Sequence, residues 1–313
     1  MSCERSAYLS RRRLLWGASA APLSTLGSVA CQPTPAPTAP QAKLAPKDSE
    51  STARFAQLER SVGGRLGVAA LDTSTGARVG FRADERFAMC STFKLALVGA
   101  VLARIDAGQE RLSRGVPFGE SDLLEYAPIT RTHVSEGSMT VEALCEAAIT
   151  MSDNTAANLL LASLSGPAGL TAFFRTLGDT TSRLDRTEPM LNTAIAGDER
   201  DTTTPHAMLG TMHALLVGEA LSASSRARLL AWLVATKTGL SRLRAGFPAA
   251  YRAGDKTGTG ENGAVNDLTI AWPPARTPLL VAAYTMGSSA STEQLSAALA
   301  NAAKIVLAEL GLV

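Results

Sequence analysis

Strand-like segments occur only at the two ends of this chain, and a long helical stretch separates them. Arg65 to Asp72 reads as an apolar strand, and the turn Thr73-Ser74-Thr75-Gly76 leads to a second strand through Val79 and Phe81. Near the other end, Tyr251 to Thr259, Asp267 to Trp272 and Leu279 to Met286 read as three more. Between them, from Ser91 to Val234, the apolar periodicity is almost all helical. Two strands at one end need partners, and the other end supplies them. The expectation is an α/β (α+β) fold: one antiparallel five-stranded sheet flanked by helices, built from both chain ends, with an inserted all-α domain. Residues 51–90 and 235–313 would form the α/β part and residues 91–234 the α part. The flanking helices are Ser51 to Val62, striped by Phe55, Leu58 and Val62, and Glu293 to Leu310, carrying Leu295, Leu299, Ile305 and Leu307. At 313 residues and 46% hydrophobic content the chain can fill two cores. An active site is expected in the cleft between the parts.

The N-terminus does not belong to that fold. Ser10-Arg11-Arg12-Arg13-Leu14-Leu15 sets paired arginines before a modest apolar run, Leu14 to Ala30, so residues 1–30 resemble a twin-arginine export signal. Ser28-Val29-Ala30 fits a cleavage site, and Cys31 directly after it is a candidate lipid-attachment cysteine. Residues 31–50 include the run Gln32 to Pro40, with a proline at every second or third position, which reads as an extended linker. The expected location is periplasmic or secreted, with a membrane-anchored lipoprotein as the variant that Cys31 allows.

Charge and ligand types narrow the function. The formal net charge is +2, but Arg5, Arg11, Arg12 and Arg13 against Glu4 put +3 into the first 31 residues, leaving −1 for the rest. No basic field suited to nucleic acid remains. Three histidines (His133, His206, His213) and four cysteines (Cys3, Cys31, Cys90, Cys145) show no zinc-ligand spacing, so neither metal nor cofactor is expected. No uninterrupted apolar run reaches the ~18 residues of a membrane helix.

Three short motifs carry chemistry. Ser91-Thr92-Phe93-Lys94 opens the apolar helix Leu95 to Ile105, and residues three apart share a helix face, which places the Lys94 ammonium beside the Ser91 hydroxyl. A serine needs a neighbour to take its proton, and the helix N-terminus offers amides to a developing oxyanion. Ser152-Asp153-Asn154 lies in a helical stretch, Val141 to Leu161; it reads either as a helix cap or as a proton relay (Ser152) with a substrate contact (Asn154). Lys-Thr-Gly occurs twice. Lys237-Thr238-Gly239 follows the helical run Ser225 to Val234 and reads as a helix terminus with Gly239 as its cap, whereas Lys256-Thr257-Gly258 sits on a strand whose edge can face an extended substrate. Gly258 to Gly263 also satisfies G-x-G-x-x-G, but a strand follows instead of a helix, so it reads as a hairpin and not a nucleotide site.

Together S-x-x-K, S-D-N and K-T-G resemble the motif set of class A β-lactamases and penicillin-binding proteins. Arg186-Thr187-Glu188-Pro189-Met190-Leu191-Asn192 further resembles the E-x-x-L-N segment of the class A omega loop, here 183–201. The resemblance runs from about Ser51 to Val313 and implies a β-lactamase/transpeptidase-like fold. It implies hydrolysis of the β-lactam amide of penicillins and cephalosporins through an acyl-serine intermediate, conferring antibiotic resistance. By the same resemblance Ser91 is the nucleophile, Lys94 or Glu188 the acylation base, and Ser152 the proton donor to the leaving nitrogen. Glu188 and Asn192 would hold the deacylating water. Backbone amides of Ser91 and Thr259 would form the oxyanion hole. Lys256, Thr257 and Arg242 would bind the substrate carboxylate, with Tyr126 as a wall and Asn154 as a further contact. Arg186 and Asp201 would pin the loop ends. A monomer is the family expectation.

The departures from the pattern are specific. Val265 stands where many members carry the carboxylate-binding arginine, so Arg242 takes that role. Val98 stands opposite Cys145 where many members have a bonded cysteine, and Gly260 stands where some carbapenem-hydrolysing members bridge a cysteine like Cys90. Cys90 and Cys145 are therefore expected free and buried, and strong carbapenem hydrolysis is not expected. Two alternatives share the nucleophile: a penicillin-binding D,D-peptidase, which normally lacks the Glu188–Asn192 clamp, and a non-hydrolytic β-lactam sensor, which needs a membrane-spanning transducer.

Overall fold

The computed structural model describes residues 50–312; the expected export signal, Cys31 and the proline-rich linker lie outside the described residues. Helix α1 (Glu50–Val62) precedes strands β1 (Arg65–Asp72) and β2 (Arg78–Phe81). A two-residue strand, β3 (Phe87–Ala88), leads through a 3-10 turn at Cys90–Thr92 into α2 (Phe93–Asp106). Strands β4 (Gly115–Pro117) and β5 (Ser138–Thr140) form a small ribbon, followed by α3 (Val141–Thr150), α4 (Asn154–Ser163) and α5 (Gly166–Thr176). Strand β6 (Thr202–Thr203) pairs with β3 before α6 (Pro205–Leu216) and α7 (Ala223–Ala235). The chain closes with β7 (Arg252–Thr259), β8 (Val265–Trp272), β9 (Leu279–Met286) and α8 (Thr292–Glu309).

The expected five-stranded sheet forms, in the order β2-β1-β9-β8-β7, with every neighbouring pair antiparallel. Alternation along each strand sorts its residues between two cores. Val68, Ala70, Val281 and Ala283 pack with Phe55 of α1 and with Leu295, Leu299 and Val306 of α8. Leu71, Leu280, Ala282, Leu268 and Ile270 face the helical side. Both faces are covered, which is why β1 and β9 read as nearly continuous apolar runs. On the helical side α2 is the axis: Phe93 to Leu102 are buried without exception, as expected of a helix apolar all round. Its N-terminus therefore holds Ser91 and Lys94 deep in the molecule.

Three sequence readings change. The stretch read as one helix from Val141 to Leu161 is broken: α3 ends at Thr150 and α4 restarts at Asn154. Ser152 sits in the break at φ +57°, and the Asp153 carboxylate caps α4 by accepting the Ala156 amide at 2.9 Å. An L-residue there costs roughly 1–2 kcal/mol, strain of the kind kept at functional sites. The cap reading of the Ser-Asp-Asn triplet holds, and it falls to Asp153. Gly239 is not a helix cap, because α7 already ends at Ala235. A Cβ at Gly239 would lie 2.0 Å from the Asp255 carboxylate, so close approach is what demands glycine. Strand β8 begins two residues earlier than expected, at Val265, which pairs with Thr259 and makes Gly260 to Ala264 the hairpin turn.

Candidate active site

A cavity of about 340 Å³ opens between the sheet edge and the helices, lined by Ser91, Tyr126, Ser152, Asn154, Asn192, Thr238, Arg242, Thr257 and Thr259. Each wall has a local cause. Ser91 rides the 3-10 turn ahead of α2, held there by Cys90 at φ +45°. Strand β7 comes close because residue 258 is glycine: a Cβ would meet the Met89 carbonyl oxygen at 2.8 Å. Asn266 of β8 ties the same turn down, donating to the Ala88 and Met89 carbonyls at 2.9 and 3.1 Å. On the facing side Asp153 accepts the amides of Ile129 and Thr130 at 2.9 and 2.8 Å, anchoring the loop that carries Tyr126. The Tyr126 ring is 49% exposed and lines the cavity.

The polar interior is charged and closely bonded. Lys94 and Lys256 are fully buried. Lys94 Nζ donates to the Ser152 carbonyl at 2.8 Å and to Asn154 Oδ1 at 2.6 Å, and lies 3.0 Å from Glu188 Oε1. The Ser152 hydroxyl lies 3.1 Å from Lys256 Nζ and 3.4 Å from Lys94 Nζ, between two ammonium groups. Burial lowers the pKa of both lysines; Lys256 falls well below the ordinary range because the Lys94 charge adds to the burial. A lysine so depressed can accept a proton. The Ser91 hydroxyl bonds Glu188 Oε1 at 3.1 Å, the same oxygen that lies 3.0 Å from the Lys94 ammonium, so both expected bases stand beside the serine.

Glu188 reaches the site from an irregular loop. Its backbone is clamped on both sides by Asn158 of α4, which accepts the Glu188 amide and donates to its carbonyl, each at 3.0 Å. Asn192 Nδ2 donates to Glu188 Oε2 at 2.5 Å, while Asn192 Oδ1 is buried with no protein partner. The loop neck is closed by Asp201, fully buried, which accepts the amides of Asp185 and Arg186 at 2.7 and 2.9 Å and Arg186 Nε at 2.5 Å. Replacing Asp201 with alanine strands these donors and is expected to cost about 1–3 kcal/mol in urea unfolding. A loss below ~0.5 kcal/mol, the range of an ordinary surface substitution, would show that the pair does not hold the loop.

Arg242 is nearly buried and lines the cavity. One guanidinium nitrogen donates to the Gly258 and Asn266 carbonyls at 2.7 Å each, and another to Thr259 Oγ1 at 2.6 Å. Its guanidinium brings a positive charge to the cavity wall, which favours an anionic ligand. Cys90 and Cys145 are buried and free, and burial pushes the Cys90 thiol up to about 12, so it stays a thiol.

Every candidate residue from Ser91 to Thr259 thus gathers at this cavity or its supporting loop. Two contributors were missed. Thr238, in the discounted Lys-Thr-Gly copy, lines the cavity with its Oγ1 2.7 Å from that of Thr257, so the two copies lie side by side. Asn158 had a readable signal, since it stands one helical turn after Asn154 on the same face.

Comparison with known proteins agrees with this geometry. A sequence profile of the β-lactamase enzyme family matches residues 50–310. β-Lactamase AST-1 of Nocardia asteroides is 48% identical over 301 residues, covering 96% of this chain and 96% of that protein. The carbapenem-hydrolyzing β-lactamase KPC of Klebsiella oxytoca is 46% identical over 82% of this chain and 88% of its own length. Among solved structures, the class A β-lactamase of the last common ancestor of Gram-negative bacteria superposes with a TM-score of 0.82 at 56% identity, covering 84% of this chain and 100% of that one. With a serine, two buried lysines and a clamped glutamate around one cavity, this chain belongs to the β-lactamase enzyme family and is a class A serine β-lactamase, an enzyme that hydrolyses β-lactams.

Proposed function

We propose that Ser91 attacks the β-lactam carbonyl of penicillins and cephalosporins and that Glu188 hydrolyses the resulting ester. The observation that carries this reading is the position of Glu188, with one oxygen 3.1 Å from the Ser91 hydroxyl and the other held by Asn192. In acylation the Ser91 proton passes to Glu188 or Lys94. The new O–C bond forms as the amide C–N bond breaks, and Ser152, between Lys94 and Lys256, protonates the departing nitrogen. The oxyanion faces the backbone amides of Ser91 and Thr259; one such donor is worth roughly 2.7–4 kcal/mol. Lys256, Thr257 and Arg242 take the substrate carboxylate, and Tyr126 and Asn154 bound its side chain. In deacylation Glu188 takes a proton from water, whose oxygen attacks the ester while Ser91 recovers its hydrogen. The unpartnered Asn192 Oδ1 supplies an acceptor for that water.

The clamped Glu188 favours turnover over the D,D-peptidase and the sensor. The experiment is turnover of benzylpenicillin: sustained hydrolysis at many molecules per enzyme is expected, and capture of one equivalent without turnover would overturn the reading. One relative is named for carbapenem hydrolysis, but Gly260 leaves Cys90 without the cysteine partner that such members use, and weak carbapenem turnover is expected here. Residues 1–30 are proposed as a twin-arginine signal, on the Arg11-Arg12-Arg13 run, for a monomeric enzyme delivered to the periplasm or medium. Cys31 is the residue for a lipid anchor, a variant that mass analysis of the mature N-terminus decides.

A further inference from the structure

Strands β7 and β8 carry two acids that no step above uses. Asp255 and Asp267 are both fully buried. Asp255 pairs in register with Thr269 and Asp267 with Thr257, so the two acids lie diagonally on one face of neighbouring strands. Asp255 has a counter-ion in Arg244. Asp267 has no cation within ion-pair distance among the described residues. Its Oδ2 accepts the Leu243 amide at 3.1 Å and the Thr269 hydroxyl at 3.3 Å, and its Oδ1 has no partner. Leu243 directly follows Arg242 and opens the 3-10 turn Leu243–Gly246. The guanidinium tip of Arg242 is fixed by Gly258, Asn266 and Thr259. The peptide at its base is fixed by Asp267.

We propose that Asp267 is a positioning residue for substrate binding: by holding the Leu243 amide it sets the backbone from which Arg242 reaches the substrate carboxylate. This rests on the reading of Arg242 given under the proposed function. The side chain works as a neutral acid. A buried carboxylate without a counter-ion sheds its charge, and burial followed by the Asp255 charge raises Asp267 well above the ordinary carboxyl range. An ionised Asp267 would instead compete with the substrate for the Arg242 charge. Asp267 Oδ1, which has no hydrogen-bond partner, is free to carry that proton.

The test compares Asp267→Asn, Asp267→Ala, Arg242→Ala and the Asp267→Ala/Arg242→Ala double variant, each with benzylpenicillin and with its methyl ester. Asparagine mimics the neutral acid and is expected to keep KM within about twofold. Asp267→Ala removes the acceptor and is expected to raise KM for the acid about tenfold with kcat nearly unchanged, the scale of stranding one buried donor. The ester should not respond, and Arg242→Ala should add little to Asp267→Ala, because the two act on one contact. If Asp267→Ala does not fold, Asp267→Leu fills the volume without the acceptor and carries the same comparison. Equal losses on acid and ester, additive losses, or an asparagine variant as impaired as alanine would overturn the proposal. If Arg242→Ala itself fails to separate acid from ester, the reading of Arg242 falls; if it separates them and Asp267→Ala does not, only this proposal falls.

Discussion

Glu188→Ala is expected to convert the enzyme from one that turns over benzylpenicillin into one that stalls after a single acylation. The carboxylate has both oxygens engaged at the cavity, one by the Ser91 hydroxyl and the Lys94 ammonium, the other by Asn192. Removing a positioned general base costs about 10²–10⁴-fold. That loss should fall on steady-state kcat, and a stopped-flow trace should show a burst of about one equivalent before the slow phase. Asn192→Ala, which leaves Glu188 in place but unsupported, should give a smaller loss in the same step. A Glu188→Ala enzyme that retains steady turnover would remove the carboxylate from deacylation.

Lys94→Met is expected to lower both stability and activity, because Lys94 is buried completely against Glu188. Lys94→Met keeps much of the side-chain length and removes the charge, leaving Glu188 as a buried carboxylate without its nearest cation. Breaking one half of a buried pair costs about 3–5 kcal/mol, so a large drop in the urea midpoint is expected. Acylation should slow as well, by about 10²–10⁴-fold for loss of a proton-transfer partner. The two losses separate in the double variant. Adding Glu188→Gln to Lys94→Met removes the orphaned charge and should restore most of the stability while leaving the enzyme inactive. A Lys94→Met protein of normal stability would show that the pair is not electrostatically coupled in the folded state.

How much of this was legible in the sequence depended on the range over which each residue acts. The sheet could be read because β1 and β9 are covered on both faces and so carry unbroken apolar runs, and because all five of its strands come from the chain ends, the strands between being only two or three residues long. Ser91, Lys94 and Lys256 could be read because their motifs fix short spacings on one helix and one strand. The break at Ser152 could not: no glycine or proline marks it, and the left-handed turn is imposed by Asp153, which caps α4 while anchoring the loop at Ile129 and Thr130. The actual partner of the Ser91 hydroxyl was hidden for a similar reason. Local helix geometry points to Lys94, while Glu188, 97 residues away, is brought in by the Asn158 clamp and the Arg186–Asp201 neck. Asp255 and Asp267 look like ordinary strand-edge polar residues in sequence. Only the register of β7 on β8 brings them together beneath Arg242.

The most direct measurement is peptide mapping of the Glu188→Ala enzyme after brief exposure to benzylpenicillin. The expected result is one ring-opened penicillin joined as an ester to the peptide containing Ser91, and no such adduct when Ser91 is also replaced by alanine. An adduct on any other residue, or turnover without a covalent species that survives the Ser91 replacement, would contradict it.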